Sequence, residues 1–188
     1  MKNKNKSQFT ATIAIFFAIM LMIHLLSSLI FNWFPLPIKP TLVHIPVIIA
    51  SIIYGPKIGS ILGGLMGLMS VITNTLIILP TSYLFSPFVP NGNFSSLVIA
   101  ILPRILIGVF PYFIYKVIKG RVGLLVAGGI GSLTNTIFVL TGIFILFSSI
   151  YDGNIQKLLA TVISSNSIAE LIIASFMTSI IIPRIEKI

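Results

Sequence analysis

The chain has 188 residues, of which 56% are hydrophobic and only 8% are charged. A soluble domain carries about 25% charged residues, so this composition excludes a soluble globular protein. The mean hydropathy of +1.12 and the length indicate a single membrane domain over residues 1–188. The 12 basic residues lie in short gaps between apolar runs, which argues against nucleic-acid binding. The absence of cysteine excludes disulfides and thiolate metal ligands.

Six apolar segments follow one another along the chain, and a helix of about 20 apolar residues crosses the hydrocarbon core of a bilayer. We therefore predict an all-α integral membrane protein. Its spans are predicted near residues 9–31, 41–54, 58–79, 96–118, 122–148 and 158–182. Because the second segment is short and contains Pro46, five full spans is the alternative.

The basic residues predict the orientation of the bundle, since cytoplasmic loops are enriched in Lys and Arg. With six spans and a cytoplasmic N-terminus, Lys39 and Lys157 lie outside and Arg104 lies within a span. The remaining nine fall inside: Lys2, Lys4, Lys6, Lys57, Lys116, Lys119, Arg121, Arg184 and Lys187. This asymmetry supports counting the second segment as a span and places both termini in the cytoplasm.

Small residues recur at four-residue spacing in the predicted cytoplasmic halves of the third and fifth spans. They are Gly59, Gly63, Gly67, Gly123, Ala127 and Gly131. This spacing places small side chains on one helix face, where helix backbones can approach closely. Toward the outer side, each span continues into a short segment rich in Ser, Thr and Asn, which contains Asn74 or Asn135. We therefore expect a closed inner half and a pocket that faces outward.

Arg104 and Glu170 are ionisable residues within predicted spans. A charge near the centre of a membrane helix costs about 2.5–3.5 kcal/mol on insertion scales, so each should face the protein interior and have a partner. One interpretation is a structural Arg104–Glu170 ion pair. The other is that the forked donors of Arg104 bind a ligand carboxylate or phosphate. Pro103 also predicts a kink beside Arg104, because proline removes a helical hydrogen bond.

Three asparagines could provide directional hydrogen bonds to a polar ligand. Asn166 lies one helical turn before Glu170 on the same face, and Asn74 and Asn135 lie in the outer halves of their spans. The alternative is that these amides only join neighbouring helices.

Two further candidate ligand contacts are His44, at the start of the second segment, and Tyr83, in the connection after the third. A helix-contact histidine and a tyrosine of the interfacial aromatic belt are the alternatives. The sequence contains no P-loop, no H-E-x-x-H zinc motif and no G-x-S-x-G elbow. We therefore predict neither an enzyme nor a bound cofactor or metal.

The order of these features resembles the substrate-binding S components of energy-coupling factor (ECF) vitamin transporters. The resemblance covers nearly the whole chain. It is carried by Ala14-x-x-x-Ala18, His44-Ile45-Pro46-Val47-Ile48, Tyr54-Gly55-Pro56-Lys57-Ile58-Gly59, Ser86-Pro87-Phe88, Asn93-Phe94 and Pro103-Arg104-Ile105-Leu106-Ile107-Gly108. The later segments resemble the subgroup that includes pantothenate carriers.

The resemblance implies three partners, a vitamin ligand and a location in the plasma membrane of a bacterium. The partners are a transmembrane coupling subunit, docked at Ala14 and Ala18, and two cytoplasmic ATPases that hydrolyse ATP. Pantothenate would place its carboxylate at Arg104 and its amide and hydroxyl groups at the three asparagines. Riboflavin, folate, pyridoxine and niacin are alternative vitamins. A self-sufficient ion-coupled transporter, with Glu170 as the proton carrier, and a structural membrane subunit are alternative functions.

Overall fold

A computed structural model describes the backbone of residues 2–33, 42–147 and 153–185 and the side chains of residues 6–30, 42–147 and 166–185. Five basic residues used in the orientation argument have side chains outside these ranges: Lys2, Lys4, Lys39, Lys157 and Lys187. The predicted orientation in the membrane therefore stays a prediction.

The described residues form seven α-helices, one short 3-10 helix and no strand. The α-helices are α1 (Lys2–Trp33), α2 (His44–Tyr54), α3 (Pro56–Leu76), α4 (Phe94–Ile107), α5 (Phe110–Val117), α6 (Gly120–Leu146) and α7 (Gly153–Ile185). The 3-10 helix, Ser82–Leu84, lies in the connection between α3 and α4. The prediction of an all-α membrane protein is confirmed.

Within the described residues, five segments are long and apolar enough to cross a membrane. They are Lys6–Ile30, Pro56–Leu76, Phe94–Val117, Gly120–Leu146 and Asn166–Ile185. The second predicted span corresponds to α2, which has 11 residues against the roughly 20 that a full crossing needs. Helix α2 is buried from His44 to Ile52 and contacts every other α-helix of the bundle. A sixth crossing therefore stays a prediction, while α2 forms the centre of the hydrophobic core.

The predicted fourth span is divided into α4 and α5, and the division does not lie at Pro103. Helix α4 continues through Pro103 to Ile107, and the interruption lies at Gly108 and Val109. Pro111 in the first turn of α5 explains this position. It has no N–H, and its ring would clash with the carbonyl four residues earlier, that of Ile107. The N–H groups of Gly108 and Val109 instead bond three residues back, which ends α4.

The small residues of α3 bring its backbone directly against that of α4. A Cβ atom on Gly59, Gly63 or Gly67 would collide with the backbone of Gly108, Arg104 or Ala100, respectively. Gly64 is different, since a Cβ there would have ordinary contact with the Ile105 side chain alone. The predicted close packing of α3 is confirmed, and along Gly59, Gly63 and Gly67 no solute fits between α3 and α4.

The small residues of α6 make close contacts with three neighbouring helices. Gly128 faces the backbone of Ala174 in α7, whereas Gly131 faces the side chains of Ile48 in α2 and Pro111 in α5. Helix α6 also packs against α4. Together these contacts hold α4, α6 and α7 around the same space, into which their polar side chains project.

Candidate functional site

A cavity of about 350 Å³ lies among α1, α3, α4, α6, α7 and the connection between α3 and α4. Small-molecule sites in proteins span about 300–1,000 Å³, so this cavity has the size of a metabolite site. It brings together five of the seven predicted ligand contacts: Asn74, Arg104, Asn135, Asn166 and Glu170. These residues come from four helices, so their convergence is a property of the tertiary structure.

Arg104 is held in this cavity by two contacts. Its Nη1 donates a hydrogen bond to the carbonyl oxygen of Ile99 at 2.8 Å, and its Cζ lies 5.2 Å from the centroid of the Phe85 ring. The residue is only 9% exposed. Among the atoms that the structure describes, its buried Nε has no hydrogen-bond partner. The guanidinium of this cavity-lining residue thus retains an unused, buried donor.

Glu170 provides the opposite charge in the same cavity. It lies on α7, is 5% exposed, and its carboxylate attracts the Arg104 guanidinium electrostatically. This attraction offsets part of the cost of placing both charges in a membrane. The predicted proximity of the two residues is confirmed, and it fits both a structural and a ligand-binding role for Arg104.

Asn135 and Asn166 face the cavity from α6 and α7. Next to them, the hydroxyl groups of Thr136 and Ser167 hydrogen-bond at 2.5 Å and join the two helices. The Oδ1 of Asn135 is buried and has no hydrogen-bond partner in the described part of the chain. A buried acceptor without a partner is costly, so a ligand donor that reached it would be favoured.

Asn74 lines the cavity as well, but its amide already has two protein partners. Its Nδ2 donates to the Ser70 carbonyl at 2.9 Å, and its Oδ1 accepts from the Ser82 hydroxyl at 3.1 Å. Ser82 in turn accepts from the N–H of Leu79 at 2.9 Å. The geometry therefore gives Asn74 a structural role in fixing the connection that follows α3.

The structure does not place His44 or Tyr83 in the lining of this cavity. His44 begins α2 and is 1% exposed within the core. The Tyr83 ring packs edge-on against Phe147, with 5.9 Å between the centroids, and burial raises the pKa of its hydroxyl above the usual value. His44 thus lies among the helix contacts that were its alternative, whereas the aromatic-belt alternative for Tyr83 stays a prediction.

Several lining residues have no strong signal in the sequence. His24 reaches the cavity from α1, where its Nε2 lies 3.3 Å from the Thr73 hydroxyl. Phe85 is one of several aromatic residues in the connection before α4, and no pattern distinguishes it from the others. Met66 and Met69 form an apolar part of the wall. Helical periodicity could have grouped the two methionines with Thr73, but not with Phe85.

The predicted docking pair, Ala14 and Ala18, lies exposed on α1. Helix α1 is held on its other side by two aromatic contacts. The Phe16 and Tyr54 rings meet edge-on at 5.8 Å, and Lys57 lies over the ring of Phe9. Only 6% of the most apolar 18-residue stretch of Lys6–Ile30 is buried. Most of α1 therefore faces away from the protein interior.

Two comparisons with known proteins agree with these features. Residues 8–182 match the family described as "ECF transporter, substrate-specific component". The chain is also 44% identical to the pantothenic acid transporter PanT of Lactococcus lactis subsp. cremoris (strain MG1363), over 98% of this chain and 96% of that protein. The chain therefore belongs to the substrate-specific S components of ECF transporters, as a multi-pass protein of the plasma membrane.

Proposed function

We propose that this chain binds pantothenate for an ECF importer and that the cavity around Arg104 is the binding site. The ligand assignment is supported by the 44% identity to a relative named as a pantothenic acid transporter. Pantothenate has one carboxylate, one amide and two hydroxyl groups on a short chain. The cavity offers one guanidinium and several amides, hydroxyls and apolar side chains, which suits that set of groups.

The carboxylate is assigned to Arg104, and one observation carries this assignment. Arg104 lines the cavity, and its buried Nε has no described hydrogen-bond partner. Guanidinium groups bind carboxylates through two parallel N–H donors, and such charge-assisted hydrogen bonds are stronger than neutral ones. A carboxylate beside Nε would supply the missing acceptor.

The rest of the ligand is assigned by polarity. Asn135 and Asn166 hydrogen-bond the amide and one hydroxyl group, while Glu170 accepts a hydrogen bond from the other hydroxyl. The two methyl groups of pantothenate lie against Met66 and Val139, which are apolar parts of the wall. In this arrangement Glu170 binds a donor and does not face the ligand carboxylate, which it would repel.

Energy for uptake is supplied by partner subunits. The P-loop absent from this sequence is provided by two cytoplasmic ATPases, and a transmembrane coupling subunit docks on the exposed face of α1 at Ala14 and Ala18. Small side chains at four-residue spacing let a second helix approach closely, which supports this docking surface.

The test is pantothenate binding to purified protein in detergent, with Arg104→Gln compared with Arg184→Gln. Glutamine keeps a polar side chain at both positions but removes the charge, and Arg184 is exposed at the end of α7. We expect Arg104→Gln to weaken binding by at least about 100-fold, since a hydrogen bond between opposite charges contributes about 1.5–3 kcal/mol and buried partners are left unpaired.

Arg184→Gln should bind like the parent protein. Unchanged affinity in Arg104→Gln would contradict the site assignment. Failure of the parent protein to bind pantothenate, with binding of riboflavin, folate, pyridoxine or niacin instead, would contradict the ligand assignment.

A further inference from the structure

The connection between α3 and α4 places one aromatic ring against the charged centre of the cavity. Phe85 lines the cavity, and the Arg104 Cζ lies 5.2 Å from its ring centroid. A cation within about 6 Å of an aromatic face is attracted by the ring, and the attraction grows when both groups are desolvated. Arg104 is 9% exposed, so the contact lies in that desolvated range.

The backbone that carries Phe85 is fixed on both sides by buried serines. Ser82, Ser86 and Ser96 are all 0% exposed. The Ser86 hydroxyl lies 2.7 Å from that of Thr75 in α3 and accepts a hydrogen bond from the N–H of Phe88. The N–H groups of Phe85 and Ser86 both bond the carbonyl of Ser82.

The other end of the connection is held in the same way. The Ser96 hydroxyl donates to the carbonyl of Tyr83 at 2.5 Å, and Ser82 bonds Asn74 in α3. The connection is thus tied to both α3 and α4, and the position of the Phe85 ring follows from the fold.

Two contacts together restrict the Arg104 guanidinium. The Ile99 carbonyl accepts from Nη1, and the Arg104 Cζ lies over the Phe85 ring. A free arginine side chain samples many rotamers, and a guanidinium held by a hydrogen bond and a ring contact has few left. The Nε of this restrained group is a buried donor without a described acceptor.

We infer that Phe85 is a positioning residue that makes the site selective for carboxylate ligands, by holding the Arg104 guanidinium with its Nε edge directed at the ligand. The inference rests on the proposed function, because it takes Arg104 as the carboxylate site. Phe85 acts through Arg104, so its removal should weaken carboxylate binding more than the binding of a neutral ligand.

The experiment compares pantothenate with panthenol, in which a hydroxymethyl group replaces the carboxylate. Both ligands are titrated into purified parent protein, Phe85→Leu, Phe85→Met, Phe85→Tyr and Phe88→Leu. Leucine and methionine keep an apolar wall without a ring, whereas tyrosine keeps the ring. Phe88 lies in the same connection but is 75% exposed, which makes it a matched control.

We expect Phe85→Leu and Phe85→Met to weaken pantothenate binding by about 10-fold, within the range of a desolvated cation–π contact. Panthenol affinity should stay within about 2-fold of the parent value, so the ratio of the two affinities should fall by about 5-fold or more. Phe85→Tyr and Phe88→Leu should keep the parent ratio.

An unchanged ratio in both ringless variants would overturn the inference, whether or not the two affinities fall together, because it would make Phe85 an ordinary part of the wall. This outcome is distinct from failure of the proposed function, in which the parent protein itself would not bind pantothenate.

Discussion

The two halves of α3 use the same neighbour, α4, in opposite ways. From Gly59 to Gly67 the helix has glycines against the α4 backbone, and no space remains between the two helices. Farther along the helix, Ser70, Thr73 and Asn74 are polar and line the cavity. The change occurs within about one helical turn, so the size and polarity of the facing residues decide whether this helix pair is closed or open.

Arg104 of α4 takes part in both the closed contact and the cavity, which explains how a charge is placed so deep in the bundle. Its backbone carbonyl is the group that a Cβ on Gly63 would strike, while its guanidinium lies in the cavity beside the Ile99 carbonyl. Side chains on a helix point back toward its N-terminus, and Ile99 lies five residues before Arg104. The glycine contact of α3 therefore fixes the backbone of Arg104, and its side chain lines the cavity.

The largest effect on stability and binding is expected from a substitution at Gly63. We expect Gly63→Ala to destabilise the protein by about 1–3 kcal/mol, the usual cost of overpacking, and to weaken pantothenate binding because α4 must shift at Arg104. Gly64→Ala is the matched control, since its Cβ would meet only the Ile105 side chain at ordinary distance. Thermal unfolding in detergent and ligand titration measure the two effects. Equal losses in both variants would show that glycine contact does not set the position of Arg104.

Two asparagines of the cavity, one on α3 and one on α6, should separate binding from stability. Asn135→Ala removes a buried acceptor that has no described partner, so we expect pantothenate affinity to fall by about 10-fold while the unliganded protein keeps its stability. Asn74→Ala removes an amide with two protein partners and should lower stability by about 1–3 kcal/mol. For both variants, thermal unfolding is measured without ligand and pantothenate affinity is measured by titration. The reverse pattern would mean that the roles of the two residues are exchanged.

The smallest effect on the isolated protein is expected on α1, outside both halves. Ala14→Leu and Ala18→Leu change exposed residues, so stability should stay within about 0.5 kcal/mol and pantothenate affinity should not change. Uptake by cells that contain the coupling module should be lost, because the larger side chains prevent close approach of a second helix. Normal uptake in both variants would contradict docking at this surface.

Most of the fold could be predicted because the membrane imposes simple rules on the sequence. The lengths of the apolar runs predicted the long helices, and the glycine spacing predicted the close contact of α3. The exclusion of isolated charges from lipid predicted that Arg104 and Glu170 face the interior. The cavity contains both residues and the three predicted asparagines, because polar groups within spans face the protein interior and avoid lipid.

The remaining features depend on contacts between distant segments, which periodicity does not contain. The central position of the short α2 and the packing of Tyr83 on Phe147 belong to this group. So does the structural engagement of Asn74, since its partner Ser82 lies eight residues away in an irregular connection.

The sequence by itself determined that this protein is an all-α membrane bundle with few buried charges, and that those charges mark its polar site. The tertiary structure alone decided which side chains surround Arg104. Its contact with Phe85 depends on where three buried serines hold the connection between α3 and α4. Hydrophobicity specifies which helix faces are buried, but only the packed arrangement specifies which ring lies over which guanidinium.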